Sequence, residues 1–401
     1  MKGTINPPVK VLGTTTLSPW SLMMSCRAGR LQEPFASGRA RFYHRGRYAI
    51  WQALKALQIR PSHNVAFPAF HCGTDLEPFL DLGIGVRFYR TTPGLQIDVD
   101  SLAGLIDAGT RAVFIIHYFG LPQDLATILR LCQEHNLLLI EDCAHALGGR
   151  HEGRWLGTFG DAAIFSMRKF LPIPDGGALL LNRRESALPD APASPPPLRV
   201  TLGELKPKLA RNLVKNLQRS PYGRALKASI ASPVSAFLKG GSRGGLEKAH
   251  RHGDLYQFRQ EEIGWGMSPL SEAIWRNTDC ELMVTRRRSH FGFFLEHLKP
   301  SSHLRPLVDR LPEGACPWAF PILVPSIDAF IERLQARGIA ARRFWEHMRP
   351  EFPKEKFPEE TGLRERLLTL PVHQELDAAA LGTIADVVNE WGSGTAVSAG
   401  C

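Results

Sequence analysis

Two stretches carry most of the chemistry in this chain. Residues 137–149 read LLLIEDCAHALGG, and residues 165–181 read FSMRKFLPIPDGGALLL. The first sets Glu141 and Asp142 directly behind four aliphatics, with His145 three residues after Asp142. The second sets Ser166, Arg168 and Lys169 in the loop after one apolar run, with a Gly-Gly pair opening the next. An amine, a carboxylate and an imidazole are the groups that proton transfer and nucleophilic attack on a carbonyl require. Read singly, each has a plainer role. Asp142 serves equally as a helix cap, a metal ligand or an ion-pair partner, and Lys169 as a solvated surface charge. A metal needs several ligands at matched spacing, and the sequence shows no such set.

The elements around these residues fit an α/β layer architecture. The run 137–142 is too uniformly apolar to have a wet side, so it reads as a central strand of a parallel sheet covered on both faces. Residues 41–182 alternate strand and helix. Strands are expected at NVAFPAF (64–70), VRFYR (86–90), RAVFIIHYFG (111–120), AAIFSM (162–167) and GALLLN (177–182). Helices are expected at 47–59, 75–83, 98–109 and 124–136. The pattern breaks after Asn182, where five prolines fall between 189 and 197, marking a stiff surface linker or disordered connector. Residues 199–243 look helical and strongly basic, and they read either as a solvated surface helix pair or as an electrostatic lid for an anionic substrate. From 281 a small α+β unit follows: helix 281–298, strand 318–324, helix 326–338, strand 339–344, strand 367–372 and a last helix near 377–391. The expected division is an N-terminal segment 1–40, a large-domain core 41–182, a linker with a basic helical insertion 183–262, and a small C-terminal domain 263–401.

In an open α/β sheet ligands bind beyond the carboxyl ends of the strands. His71, His117, Asp142, Ser166 and Lys169 all stand at or just past such ends. Pyridoxal phosphate needs a lysine for its Schiff base, an acid against its pyridine nitrogen, and donors at a helix N-terminus for its phosphate. Gly46, Arg47 and Tyr48, opening the first helix, supply the last of these.

With FPAF, FIIHYFGLPQDL, IEDCAHALGG, LGTFGDAAIFS and the lysine before DGGALLLN, the chain resembles the DegT/DnrJ/EryC1/StrS sugar aminotransferase family of fold-type I pyridoxal-phosphate enzymes. The resemblance covers roughly residues 40–182 and agrees in outline with the small C-terminal domain. It implies a mostly parallel central sheet with helices on both faces, and Lys169 as the Schiff-base lysine. It implies that Asp142 pairs with the pyridinium and that His145 stands beside the cofactor's phenolic oxygen. His71 and Arg168 join Gly46, Arg47, Tyr48 and Ser166 around the cofactor. No metal is expected.

Three positions depart from the family pattern. Ser166 and Lys169 are separated by only two residues, His71 and Cys72 stand where a stacking aromatic is common, and GWGM (264–267) replaces N-x-R-M. The resemblance further implies glutamate as amino donor, an anionic keto-sugar linked to a nucleotide as acceptor, and a homodimer. Other readings are a non-catalytic or regulatory relative, and an enzyme of the same family acting on a non-sugar substrate. A sugar dehydratase of the family would carry histidine in place of Lys169.

Bulk composition is consistent with this. The 401 residues suffice for a large and a small domain, and 44% hydrophobic with 22% charged residues is ordinary for a globular protein. The formal charge of +10 points to an anionic partner. No recognisable module suggests nucleic acid, and no run approaches the length of a membrane span. Seven scattered cysteines without a Cys-x-x-Cys pair suggest a reducing, cytoplasmic setting.

Overall fold

The computed structural model describes residues 14–16, 31–219, 258–341, 343–345 and 348–393. Its centre is a seven-stranded sheet built from β1 (Ala40–Tyr43), β2 (Asn64–Pro68), β3 (Gly85–Tyr89), β4 (Thr110–Ile116), β5 (Leu138–Asp142), β8 (Ala162–Ser166) and β9 (Gly177–Leu181), with a small hairpin of β6 (Arg150–His151) and β7 (Arg154–Trp155) outside it. The strand order is β1-β9-β8-β5-β4-β2-β3. Pairings from β3 through β8 are parallel, while β9 runs antiparallel to both β8 and β1. The mixed edge follows from the short connection between β8 and β9, which leaves no room for a crossover helix.

Both faces of the sheet are buried, as the aliphatic runs require. In β4, Val113 and Ile115 enter one core while Ala112, Phe114 and Ile116 enter the other. The first face is covered by Phe35 and by helices α3 (Val99–Ala103) and α4 (Leu125–Glu134), through Leu102, Leu125 and Ile128. The second is covered by α1 (Gly46–Ala56) and α2 (Glu77–Asp81), through Ile50, Leu54 and Phe79. Buried aliphatics recur at 50, 53 and 54 in α1 and at 57 just past its end, the helical spacing expected from the sequence.

A long helix, α5 (Leu198–Arg219), follows the proline-rich stretch, and the rest of the basic segment, 220–257, lies outside the described residues. The stretch itself is docked rather than free. The amide of Ala193 donates to Gly264 at 3.0 Å and that of Gly266 to Ser194 at 2.8 Å, a strand-like pairing that satisfies backbone groups the prolines cannot.

Beyond it come α6 (Pro269–Arg276), α7 (Cys280–His297), β10 (Arg305–Pro306), β11 (Ala319–Leu323), α8 (Ile327–Ala336), α9 (Pro358–Arg364), β12 (Leu367–Pro371) and α10 (Ala378–Gly392). The strands β10, β11 and β12 form one antiparallel sheet. Phe291, Phe294, Phe320, Ile322, Leu370, Ile384 and Val388 form its separate core. The strand expected at 339–344 does not form: among the described residues it pairs only at one bridge, Arg343 with Leu368. Trp345 takes a left-handed φ of 49°, which turns the chain away from the sheet edge. The tail 394–401 lies outside the described residues.

Candidate active site

Parity along the strands decides which side chains reach the site. Side chains alternate faces along a strand, so Leu138, Ile140 and Asp142 share one face of β5, and Ala162, Ile164 and Ser166 share it on β8. That is the face covered by α1. Glu141 points the opposite way, with Leu139.

The two acids that end β5 therefore do different work. Glu141 is fully buried, and its Oε1 accepts from the amides of Phe159 (2.8 Å) and Gly160 (2.6 Å) while its Oε2 accepts from Gly157 (3.0 Å). His117 Nε2 lies 3.1 Å from the same Oε2, and the amide of Gln123 donates to His117 Nδ1 at 3.3 Å. That network assigns the imidazole proton to Nε2, where it is donated to Glu141. His117, Glu141 and Cys143 bring their ligand atoms within 4.8 Å of one another. Both carboxylate oxygens are committed and burial holds the Cys143 thiol far above its ordinary pKa. Glu141, backed by His117, is a hydrogen-bonded clamp on the 157–160 loop.

Asp142 faces the site. It is buried, and its Oδ1 accepts from the amide of Ala144 at 2.7 Å. Burial pushes its pKa up to about 6, opposed by the nearby Lys169 ammonium and by the Ala144 hydrogen bond. Lys169 arrives through a single 3-10 turn, Met167–Lys169, that follows β8 immediately. The turn lets so short a Ser-x-x-Lys spacing present Lys169 Nζ 2.9 Å from His145 Nε2. Burial first, and the Lys169 charge second, hold the His145 pKa well below its ordinary value. The neutral ring accepts from Lys169 through Nε2 and keeps its proton on Nδ1, which is buried without a hydrogen-bond partner.

The small unit supplies a wall that the sequence reading missed. Trp318 stacks on His145 with ring centroids 4.4 Å apart and planes 6° from parallel, and its Nε1 donates to the carbonyl of Lys169 at 3.1 Å. Phe344 and Trp345 close on the same imidazole at 5.8 and 5.6 Å. Arg287, buried in α7, stacks on Phe170 and donates to its carbonyl at 3.3 Å. The only local signal for Trp318 is a tryptophan at the head of a predicted strand.

Gly46 opens α1, and Arg45 before it is extended and offers no side-chain cap, so no side chain caps the first amides of the helix. Gly177 makes this approach possible: a Cβ there would sit 2.3 Å from the carbonyl carbon of Arg45. The side chains of Arg47 and Tyr48 turn elsewhere, to Glu77 at 2.5 Å and Glu262 at 2.7 Å, and the Tyr48 amide returns to the Arg45 carbonyl at 3.2 Å. What they leave for an anion is the helix head itself, which packs against Ile164 and Phe165, the residues just before Ser166.

His71, expected at the cofactor, is not brought to Lys169. Asp75 gathers His71 Nδ1 (3.3 Å) and the Cys72 amide (3.3 Å), which turns the imidazole onto Phe88 at 5.5 Å. Cys72 is the neighbour that feels both Lys169 and Asp142, although burial dominates and raises its thiol pKa to about 12. Arg168 stands at the rim, its Nη2 4.0 Å from Glu204 Oε2. The segment 264–267 lies along the end of β1, where the Trp265 carbonyl accepts from the His44 amide at 3.0 Å.

These groups fit pyridoxal phosphate. An amine, a buried carboxylate on the same face, a hydroxyl and a helix N-terminus are its donor set. The partnerless Nδ1–H of His145 is an unmet donor of the kind an acceptor oxygen on a ligand satisfies.

Residues 44–188 match the model of the DegT/DnrJ/EryC1/StrS aminotransferase family. The chain is 26% identical over 365 residues to a UDP-N-acetyl-3-dehydro-alpha-D-glucosamine 3-aminotransferase of Acidithiobacillus ferrooxidans, covering 86% of this chain and 81% of that enzyme. It is 36% identical over 140 residues to a GDP-perosamine synthase of Escherichia coli O157:H7, a match spanning 34% of this chain and 38% of that one. Among solved structures, the aminotransferase TlmJ of Streptoalloteichus hindustanus superposes with a TM-score of 0.66 at 20% identity, over 96% of this chain and 99% of that one. The fold is that of the fold-type I pyridoxal-phosphate transferases. The chain is an aminotransferase, and its residues 44–188 are similar to the DegT/DnrJ/EryC1/StrS aminotransferases.

Proposed function

We propose that this protein uses pyridoxal phosphate to transfer an amino group from glutamate to a keto group of a nucleotide-linked sugar, acting as a cytoplasmic homodimer. The observation that carries the reading is Lys169 Nζ held 2.9 Å from a neutral His145. Asp142 stands on the same sheet face as Ser166 and the head of α1. The relatives that act on UDP- and GDP-linked sugars support the substrate class, and the formal charge of +10 suits a diphosphate.

When bound, pyridoxal phosphate supplies the carbonyl that carries the amino group and a ring that accepts electrons. The chain's residues do the rest. The Lys169 amine takes and returns the proton at the α-carbon of the amino donor, and His145 Nε2 orients that amine. Asp142 keeps a negative charge against the ring nitrogen. Ser166 and the amides at the head of α1 hold the phosphate, while Trp318 shields the His145–Lys169 pair from water. The test is an absorbance titration of the purified protein. Glutamate is expected to bleach a yellow absorption, and a keto nucleotide-sugar to restore it. A yellow protein that glutamate leaves unchanged would exclude glutamate as donor, and a colourless one that takes up no added cofactor would sink the reading.

A further inference from the structure

Glu204, in α5, accepts a hydrogen bond from Arg45 Nη2 at 2.9 Å through Oε1, and its Oε2 lies 4.0 Å from Arg168 Nη2. The two arginines come from distant parts of the chain, yet one directly precedes Gly46 and the other directly precedes Lys169. We propose that Arg45 and Arg168 form the subsite for the diphosphate of the anionic substrate, and that Glu204 occupies it until the diphosphate displaces it. This rests on the reading of the site as one that takes a nucleotide-linked sugar.

Position favours a substrate diphosphate over the cofactor's phosphate. The side chains of Arg45, Arg168 and Glu204 are 24, 31 and 34% exposed, at the rim, whereas Asp142 and His145 are buried beneath. A cofactor held by Lys169 and Asp142 would lie at the more buried groups, leaving the more exposed arginines to the part of a substrate that trails into solvent. Arg45 is presented outward by its Nε, which donates to His44 Nε2 at 3.1 Å. Arg47 is not part of the subsite, because its guanidinium is engaged by the buried Glu77.

Chemistry favours exchange. A guanidinium fork that binds a carboxylate binds a phosphoryl group in the same planar manner. Ion pairs this exposed contribute little, so replacing one carboxylate by a dianion meets a small barrier. The carrier of Glu204 is shallowly seated: among the described side chains of α5 only Thr201 and Leu205 are buried, while Leu198, Leu202 and Leu209 are 70, 45 and 41% exposed.

The test is calorimetric binding of inorganic pyrophosphate to the cofactor-loaded protein at low salt, which needs no turnover. Glu204→Gln is expected to tighten binding about three- to tenfold, and Arg168→Gln to weaken it by a similar factor. In the Arg45→Gln/Arg168→Gln background the Glu204 substitution is expected to have no effect. Should the double background fail to fold, Arg168→Gln alone is expected to shrink the Glu204 effect. The proposal is overturned if Glu204→Gln binds pyrophosphate no more tightly, or if the gain persists in full without the arginines, which would mark it as net charge alone. It is also overturned if the substitution changes affinity for pyridoxal phosphate and leaves pyrophosphate untouched. A protein that passes this test yet aminates no nucleotide-sugar would refute the functional reading and leave the anion subsite standing.

Discussion

Lys169 Nζ and His145 Nε2 lie 2.9 Å apart, and Trp318 holds both members, stacking on the imidazole and donating to the lysine carbonyl. The 3-10 turn after β8 and Trp318, just before β11, converge on the pair. Lys169→Ala is expected to abolish both half-reactions while cofactor still binds through its phosphate. His145→Gln is expected to retain part of the activity because an amide can also accept from the amine, and His145→Ala to lose about 10²-fold or more. Single-turnover bleaching by glutamate measures all three. A Lys169→Ala protein that still bleaches would mean another amine does the work.

Asp142 ties activity to an energetic cost. Its folded pKa of about 6 lies above the ordinary 3.8, so the cofactor-free native state binds a proton more readily than the unfolded chain between those values. Its contribution to stability therefore falls as pH rises through that window, by about 3 kcal/mol in all. Cofactor-free Asp142→Asn is expected to be more stable than wild type at pH 8, by up to about that amount, with the difference vanishing near pH 4. Turnover of the loaded variant is expected to drop by orders of magnitude. Guanidinium unfolding at the two pH values, beside a rate assay, checks both. Equal stability at pH 8 would mean that the buried charge is better compensated than its surroundings indicate.

Glu141 predicts a purely structural loss. With three backbone amides and His117 on one carboxylate, Glu141→Gln turns a donor NH2 of its carboxamide towards other donors and is expected to cost about 2–4 kcal/mol. The unfolding midpoint reads this directly, and an unchanged midpoint would refute the clamp.

Gly177 is constrained by approach. Its added Cβ would meet backbone atoms of Arg45 and Gly46 at 2.3 and 2.4 Å, and neither can yield as a flexible side chain would. Gly177→Ala is expected to push the head of α1 from Ser166 and weaken cofactor binding about tenfold or more, the equivalent of about 1.4 kcal/mol. Fluorescence titration with pyridoxal phosphate measures it, and unchanged affinity would separate the helix head from the phosphate.

Sedimentation tests the homodimer. An active species at twice the chain mass is expected at assay concentration, and a fully active monomer would contradict it.

Local pattern determined much of this protein. Strands β2, β4, β5, β8 and β9 are legible as apolar runs because a strand buried on both faces leaves few polar positions. Asp142 and Lys169 are legible because charged groups at the ends of such strands are costly without a purpose. Tertiary structure decided the rest. Strand β1 is only four residues and is specified by its antiparallel partner β9, far along the chain. His71 follows a strand end as Asp142 ends one, yet Asp75 draws it into an aromatic core, a choice set by packing. The Ser166–Lys169 spacing, anomalous as a string, is resolved by the turn that bends it. Trp318 and Glu204 reach the site from 149 and 35 residues beyond Lys169. Periodicity records which face of an element is buried, and it carries no record of what that face meets.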